Sequence, residues 1–144
     1  METVIRNDET KGRSVKEIRT RERKEKEDKE REACTAYADE RFGKEELKQL
    51  SSKNKGIWFL PIWEDQESLT IEKFAVMKPV DRNILSYAST KMTDEGLYAF
   101  LESAMRECFL LGDKEILDED EYFIPASTSF NKIMEGKKAS LLKR

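Results

Sequence analysis

Residues 19–32 contain no apolar side chain, and a run of that length cannot contribute to any core. Whatever the chain folds into must be built on either side of it. Glu17–Arg21, Glu22–Lys26, Glu25–Lys29 and Glu27–Arg31 each place an acid four residues ahead of a base. That is the favourable order on a helix, each pair contributing about 0.2–0.5 kcal/mol. Ser14 with Glu17 three residues later has capping-box spacing and predicts a helix start there. No a/d seam is present to bury, so the segment is not a coiled-coil strand. It reads as a solvated, charged helical arm, and residues 1–13, which lack periodicity, are expected to be disordered.

Beyond the arm's bare stretch, Cys34, Tyr37, Ala38, Phe42, Leu47 and Leu50 recover a helical spacing that breaks at Gly43. This part is expected to dock on the rest of the chain or on a neighbouring subunit. The arm as a whole covers residues 14–50, and 51–56 (Ser-Ser-Lys-Asn-Lys-Gly) reads as a linker. The domain proper then occupies residues 57–144. It opens with Ile57-Trp58-Phe59-Leu60-Pro61-Ile62-Trp63, a polar turn, and Leu69-Thr70-Ile71-Glu72-Lys73-Phe74-Ala75-Val76-Met77. Two β-rich runs around a short polar loop predict a hairpin. Pro61 cannot donate to a ladder, which assigns the first strand to an edge or bends it there. An isolated hairpin is marginal in water and needs helices or other strands to lean on.

After the hairpin, Lys78-Pro79 leads into a helix with Asp81 in its first turn and Ile84, Leu85, Ala88 and Met92 on its apolar face. Leu97, Phe100, Leu101, Ala104, Met105, Cys108, Phe109 and Leu111 form a long stripe at three-and-four spacing, read as one helix that Gly112 stops. A closing helix is expected from Ser127 or Thr128, with Phe130, Ile133, Met134 and Leu141 inward and Gly136 weakening its middle. The fold class is therefore α+β and mainly α: a small helical domain with one β-hairpin and an extended charged N-terminal helical arm. The excess charge, 40% of residues against roughly 25% in an ordinary soluble domain, lies mostly in that arm.

Chemistry is harder to place. Histidine is absent, which removes the commonest general base and transition-metal ligand. No Gly-rich phosphate loop, nucleophile elbow or CxxC pair occurs. The acidic run 113–121 lacks the alternation and central Gly of an EF-hand, being interrupted by Ile116 and Leu117. Ser86 and Ser89 lie near Lys91 without further sign of a dyad. Cys34 and Cys108 fall on apolar faces and are expected as buried, reduced thiols. No enzyme activity, catalytic residue, metal or cofactor is expected. The net charge of −3 gives no general bias toward nucleic acid. No run reaches the roughly 18 apolar residues of a membrane span, and the first residues have no apolar signal core. Contacts with other proteins are what remain. Trp58, Phe59, Ile62 and Trp63 are the candidate anchors, since large aromatics dominate interface hot spots. Arg19, Arg23 and Lys26 of the arm would add charge-set specificity. The competing readings are that the aromatics merely cover the helices, and that the arm is a spacer.

Several short pieces carry a resemblance: Lys78-Pro79-x-Asp81-Arg82, then Cys108-Phe109-Leu110-Leu111-Gly112-Asp113-Lys114-Glu115-Ile116, then Asp120-Glu121-Tyr122-Phe123, and the stretch from Ile133 through Leu142. In these the chain resembles small proteins encoded in the structural gene blocks of tailed bacteriophages and prophages, especially those of Bacteroides-like hosts. Such proteins run from a short strand into a Lys-Pro-x-x-Arg-type helix start. An amphipathic helix with a Cys-containing apolar end follows, then a Gly-Asp step, an acidic stretch and a Lys-rich closing helix. The resemblance covers the C-terminal half. It implies a tail-assembly chaperone or minor virion protein of the tail or head-tail module, acting in the host cytoplasm during assembly or within the virion. Its partners would be other phage structural proteins or further copies of itself as a homo-oligomer. The charged arm sets this chain apart and suits a virion protein threaded between neighbours better than a chaperone that departs. A nucleic-acid accessory protein using the arm, or a phage inhibitor of a host enzyme, are the alternatives.

Overall fold

The structure, a computed structural model, describes residues 2–133 and 139–144. Its elements in chain order are α1 (Glu2–Phe42), α2 (Lys44–Asn54), β1 (Trp58–Asp65), β2 (Thr70–Met77), α3 (Arg82–Glu95), α4 (Leu97–Cys108), β3 (Phe109–Gly112), α5 (Glu115–Asp118) and α6 (Asp120–Ile133). The protein is mainly helical, with a three-stranded antiparallel sheet in the order β1-β2-β3. Among the described residues no helix is long and apolar enough to cross a membrane.

The central strand organises the core. Successive side chains of a strand face opposite sides, and β2 is apolar on both. Phe74 and Val76 enter one buried cluster with Cys34 and Ala38 of α1 and Leu47 of α2. Ala75 and Met77 enter the other with Ile84, Ala88, Phe100, Leu101, Ala104, Met105, Cys108 and residues of α5 and α6. The sheet is thus covered on both faces, by α1 and α2 on one and by α3–α6 on the other. The rings of Tyr37, Phe42 and Phe59 stand 4.9, 6.4 and 5.5 Å from that of Phe74, so the arm's second half is held by an aromatic cluster. Residues from Cys34 onward in the arm belong to the fold itself.

Several expectations are corrected. Phe109–Gly112 is a strand, not the end of the preceding helix: α4 stops at Cys108, and Val76 and Ala75 pair with Leu111 and Gly112. The Phe-Leu-Leu run continues the helical stripe, but the free edge of β2 needs a ladder partner and takes it. Gly112 is required for a different reason than a helix stop. A Cβ there would sit 2.2 Å from the Phe74 carbonyl oxygen, and its φ is +124°. The segment 51–56 is not a linker, since α2 continues to Asn54 before Lys55 closes it in the left-handed conformation. Ser14 lies inside α1 rather than at its start. Asp81, expected in the first turn, is the N-cap of α3, its carboxylate accepting the Ile84 N–H at 2.8 Å. The last helix begins at Asp120, seven residues ahead of Ser127, and carries Pro125 inside. Leu141, expected on its buried face, is fully exposed and outside any helix, and Met92 and Leu97 are also exposed. The expectations for Met134 and Gly136 lie outside the described residues.

One polar contact ties the layers together. Beyond Gly112 the chain leaves the sheet, yet Asp113 prolongs the ladder with both backbone and side chain. Its N–H donates to the Phe74 carbonyl at 2.8 Å, and its Oδ2 accepts the Phe74 N–H at 2.9 Å. The same carboxylate takes both guanidinium nitrogens of Arg41, at 3.0 and 2.9 Å. The Arg41 guanidinium, followed by the Phe74 N–H, holds the Asp113 carboxyl below its ordinary range against the opposing effect of burial.

Candidate partner-binding edge

β1 is an edge strand, and its backbone alternation decides what it offers. Phe74 and Lys78 direct their backbone groups toward β3, bonding Asp113 and Cys108. Their parity assigns the groups of β2 facing β1 to Lys73, Ala75 and Met77. Phe59 and Pro61, opposite Val76 and Phe74, therefore turn their backbone groups outward. Pro61 puts its missing N–H on the open side, which costs the β1–β2 ladder nothing and blunts the edge against indiscriminate pairing. A bulge between Ile62 and Trp63 twists the strand's far end.

This edge forms the floor of a groove of about 920 Å³, walled by Glu30 of α1 and Gln66 on one side and by Pro125, Ser129, Lys132 and Ile133 of α6 on the other. Trp58, Phe59, Ile62 and Trp63 all line it. Trp58 is 49% exposed, whereas Phe59 and Trp63 lean into the α1-side cluster and Ile62 into the main core. The four expected anchors are thus brought together, three of them half-buried and the first available to a partner. A smaller cleft of about 470 Å³ continues between β1 and α1, past Glu27, Arg31 and Cys34. The Gln66 side chain donates to the Glu30 carboxylate at 2.7 Å and fixes the groove's mouth. The α6 wall escaped the sequence reading because only packing brings that helix beside β1; Ser129, Lys132 and Ile133 lie within the helix expected from Ser127 or Thr128, and Pro125 alone lies outside it.

The arm's bases are exposed as expected. Arg19, Arg23 and Lys26 follow at intervals of four and three, and Glu30 comes four residues later, so all four share one stripe of α1. The basic stripe therefore runs out from the groove on the same face that meets it. Arg31 bonds Asp28 at 2.9 Å, three residues away, in place of the expected Glu27.

Nucleophile chemistry is subdued. Burial, and then the Glu30 carboxylate, pushes the Cys34 thiol up to about 11, and burial does the same to Cys108. Both thiols are buried and free, and they sit in clusters on opposite faces of the sheet. Among the described residues no group of three His, Cys, Asp or Glu side chains is arranged to hold a metal ion.

Comparisons with protein-family models, with curated proteins and with solved structures each found no match.

Proposed function

We propose that this is a non-catalytic assembly or virion structural protein of the tailed-phage type, working through protein–protein contacts at the β1 edge. The observation that carries the reading is an open edge strand inside a groove of about 920 Å³, with Trp58 half exposed at its floor. Such a groove is elongated along a strand and near the upper limit of roughly 300–1,000 Å³ for small-molecule pockets, which suits an extended polypeptide segment. Main-chain bonds at Phe59 and Pro61 supply affinity, and the Trp58 and Trp63 rings supply the apolar seats that select a partner. The arm's exposed stripe lengthens the contact and sets its charge preference.

The test is a tagged pull-down from the producing cells at moderate salt with nuclease present, read by mass spectrometry. Recovery of tail, portal, tape-measure or capsid proteins, lost on Trp58→Ala with Trp63→Ala in a folded protein, supports the reading. Recovery of a single host enzyme, or the same partners bound equally by the double variant, rejects it.

A second reading is favoured by the exposure of Arg19, Arg23 and Lys26 on one stripe: a nucleic-acid accessory role for the arm. Interleaved acids such as Glu22 and Glu25 oppose phosphates there. Affinity for duplex DNA falling by several orders of magnitude between about 50 and 200 mM salt would favour this role over the first.

A further inference from the structure

We infer that the occupant of the β1 groove is the 139–144 segment of a second copy of this chain, which makes the protein a head-to-tail self-assembling unit. This deepens the proposed function and rests on its reading of the groove as the contact site. Ala139-Ser140-Leu141-Leu142-Lys143-Arg144 lies in neither helix nor strand, and Leu141 and Leu142 are 102% and 85% exposed. Two adjacent leucines fully in water are an uncovered apolar pair with no packing inside their own subunit.

The groove matches that pair in length, shape and charge. Six extended residues span about 20 Å, within the roughly 26 Å of the eight-residue β1. Adjacent side chains of an extended segment point to opposite faces, so Leu141 and Leu142 need an apolar wall on each side of the edge. Trp58, Ile62 and Ile133 form such a wall on the α6 side, and Phe59 and Trp63 form the other on the α1 side. By the same alternation one of the two following bases, Lys143 or Arg144, falls on the α1 side, where Glu27 and Glu30 line the clefts while Arg31 is ion-paired with Asp28. Because Pro61 offers a carbonyl and no N–H, the ladder is confined to Phe59 and the Pro61 oxygen. Selection therefore falls on the two leucine seats, and a long generic strand gains little.

The segment is exposed within its own subunit although Ile133, the last described residue of α6, lines the groove, so the seat is assigned in trans. A groove on one subunit that receives a segment from the next is a heterologous contact, which closes into rings or propagates as filaments. That is the geometry an assembly component requires.

Sedimentation equilibrium and light scattering over a range of concentrations test the inference with two variants of the full chain. Leu141→Glu with Leu142→Glu disables the segment, and Ser129→Trp, at an exposed α6 position, fills the groove. The wild type is expected to self-associate, each variant to do so roughly 100-fold more weakly, and an equimolar mixture of the two to form 1:1 dimers that grow no further. Circular dichroism superimposable on the wild type shows that each variant is folded. A wild type that stays monomeric, a leucine variant that associates like the wild type, or variants that fail to complement each other overturns the inference. Those outcomes leave the wider assembly reading to the pull-down. Conversely, complementation together with a pull-down empty of structural proteins would retain the self-association and reject the phage role.

Discussion

Asp113→Ala removes the side chain that joins the arm, the central strand and the third strand, and its cost can be worked from the contacts. The Phe74 N–H lies on a fully buried residue, and without Asp113 Oδ2 it loses its acceptor. An orphaned buried donor costs about 1–3 kcal/mol. The Arg41–Asp113 pair has side chains 34% and 19% exposed, so solvent screening leaves it about 0.5–1 kcal/mol. The expected loss is about 1.5–4 kcal/mol in urea unfolding, with an unchanged m value. Asp113→Asn can keep its one amide oxygen as the acceptor for the Phe74 N–H but loses the charge and one of the two oxygens that accept from Arg41, so about 1 kcal/mol is expected. The pH dependence follows from the lowered carboxyl pKa. A group whose pKa is lower folded than unfolded stabilises fully above its unfolded value and loses that contribution as pH falls through the folded one. The gap between wild type and Asp113→Asn should therefore be complete at neutral pH and shrink below about pH 4. If Asp113→Ala costs under about 0.5 kcal/mol, or Asp113→Asn costs as much as Asp113→Ala, the account of the buried N–H is refuted.

Other expectations follow from the same packing. Gly112→Ala should lower stability by about 3 kcal/mol or more in urea unfolding, since a Cβ would strike the Phe74 carbonyl at a positive φ. Phe74→Ala should cost about 3–5 kcal/mol, whereas Trp58→Ala, half exposed in the groove, should cost under about 1 kcal/mol, measured in the same way. Native Cys34 and Cys108, both buried and raised to about 11, should react with a thiol reagent at pH 8 far more slowly than after unfolding, with no disulfide formed on mild oxidation. Amide exchange should be fast along residues 15–27 and slow from Cys34 to Phe42, because packing against the sheet begins at Cys34.

Local patterning made much of the fold legible. The hairpin of β1 and β2 was readable from two β-rich runs around a polar turn, and the buried residues of α4 from their helical spacing. β3 was not readable, because Phe109, Leu110 and Leu111 satisfy helical periodicity as well as they satisfy a strand. The start of α6 was hidden by Pro125, which reads as a break in isolation. For the site, the anchors on β1 were visible as large aromatics beside a proline, but the wall facing them belongs to a helix some seventy residues away in sequence.

By itself the sequence determined where apolar surface exists: nowhere in residues 19–32, on both faces of β2, and along one side of α4. Those are properties of neighbouring residues, carried by composition and period. Only the tertiary structure decided which surfaces meet. It set β3 against β2, closed Gly112 onto the Phe74 carbonyl, and brought Asp113 to Arg41 across 72 positions. It also left Trp58 and Leu141 uncovered. The reason is physical: a strand edge or an apolar face states a need for a partner, and only the packed chain shows which needs are met within one molecule and which remain for another.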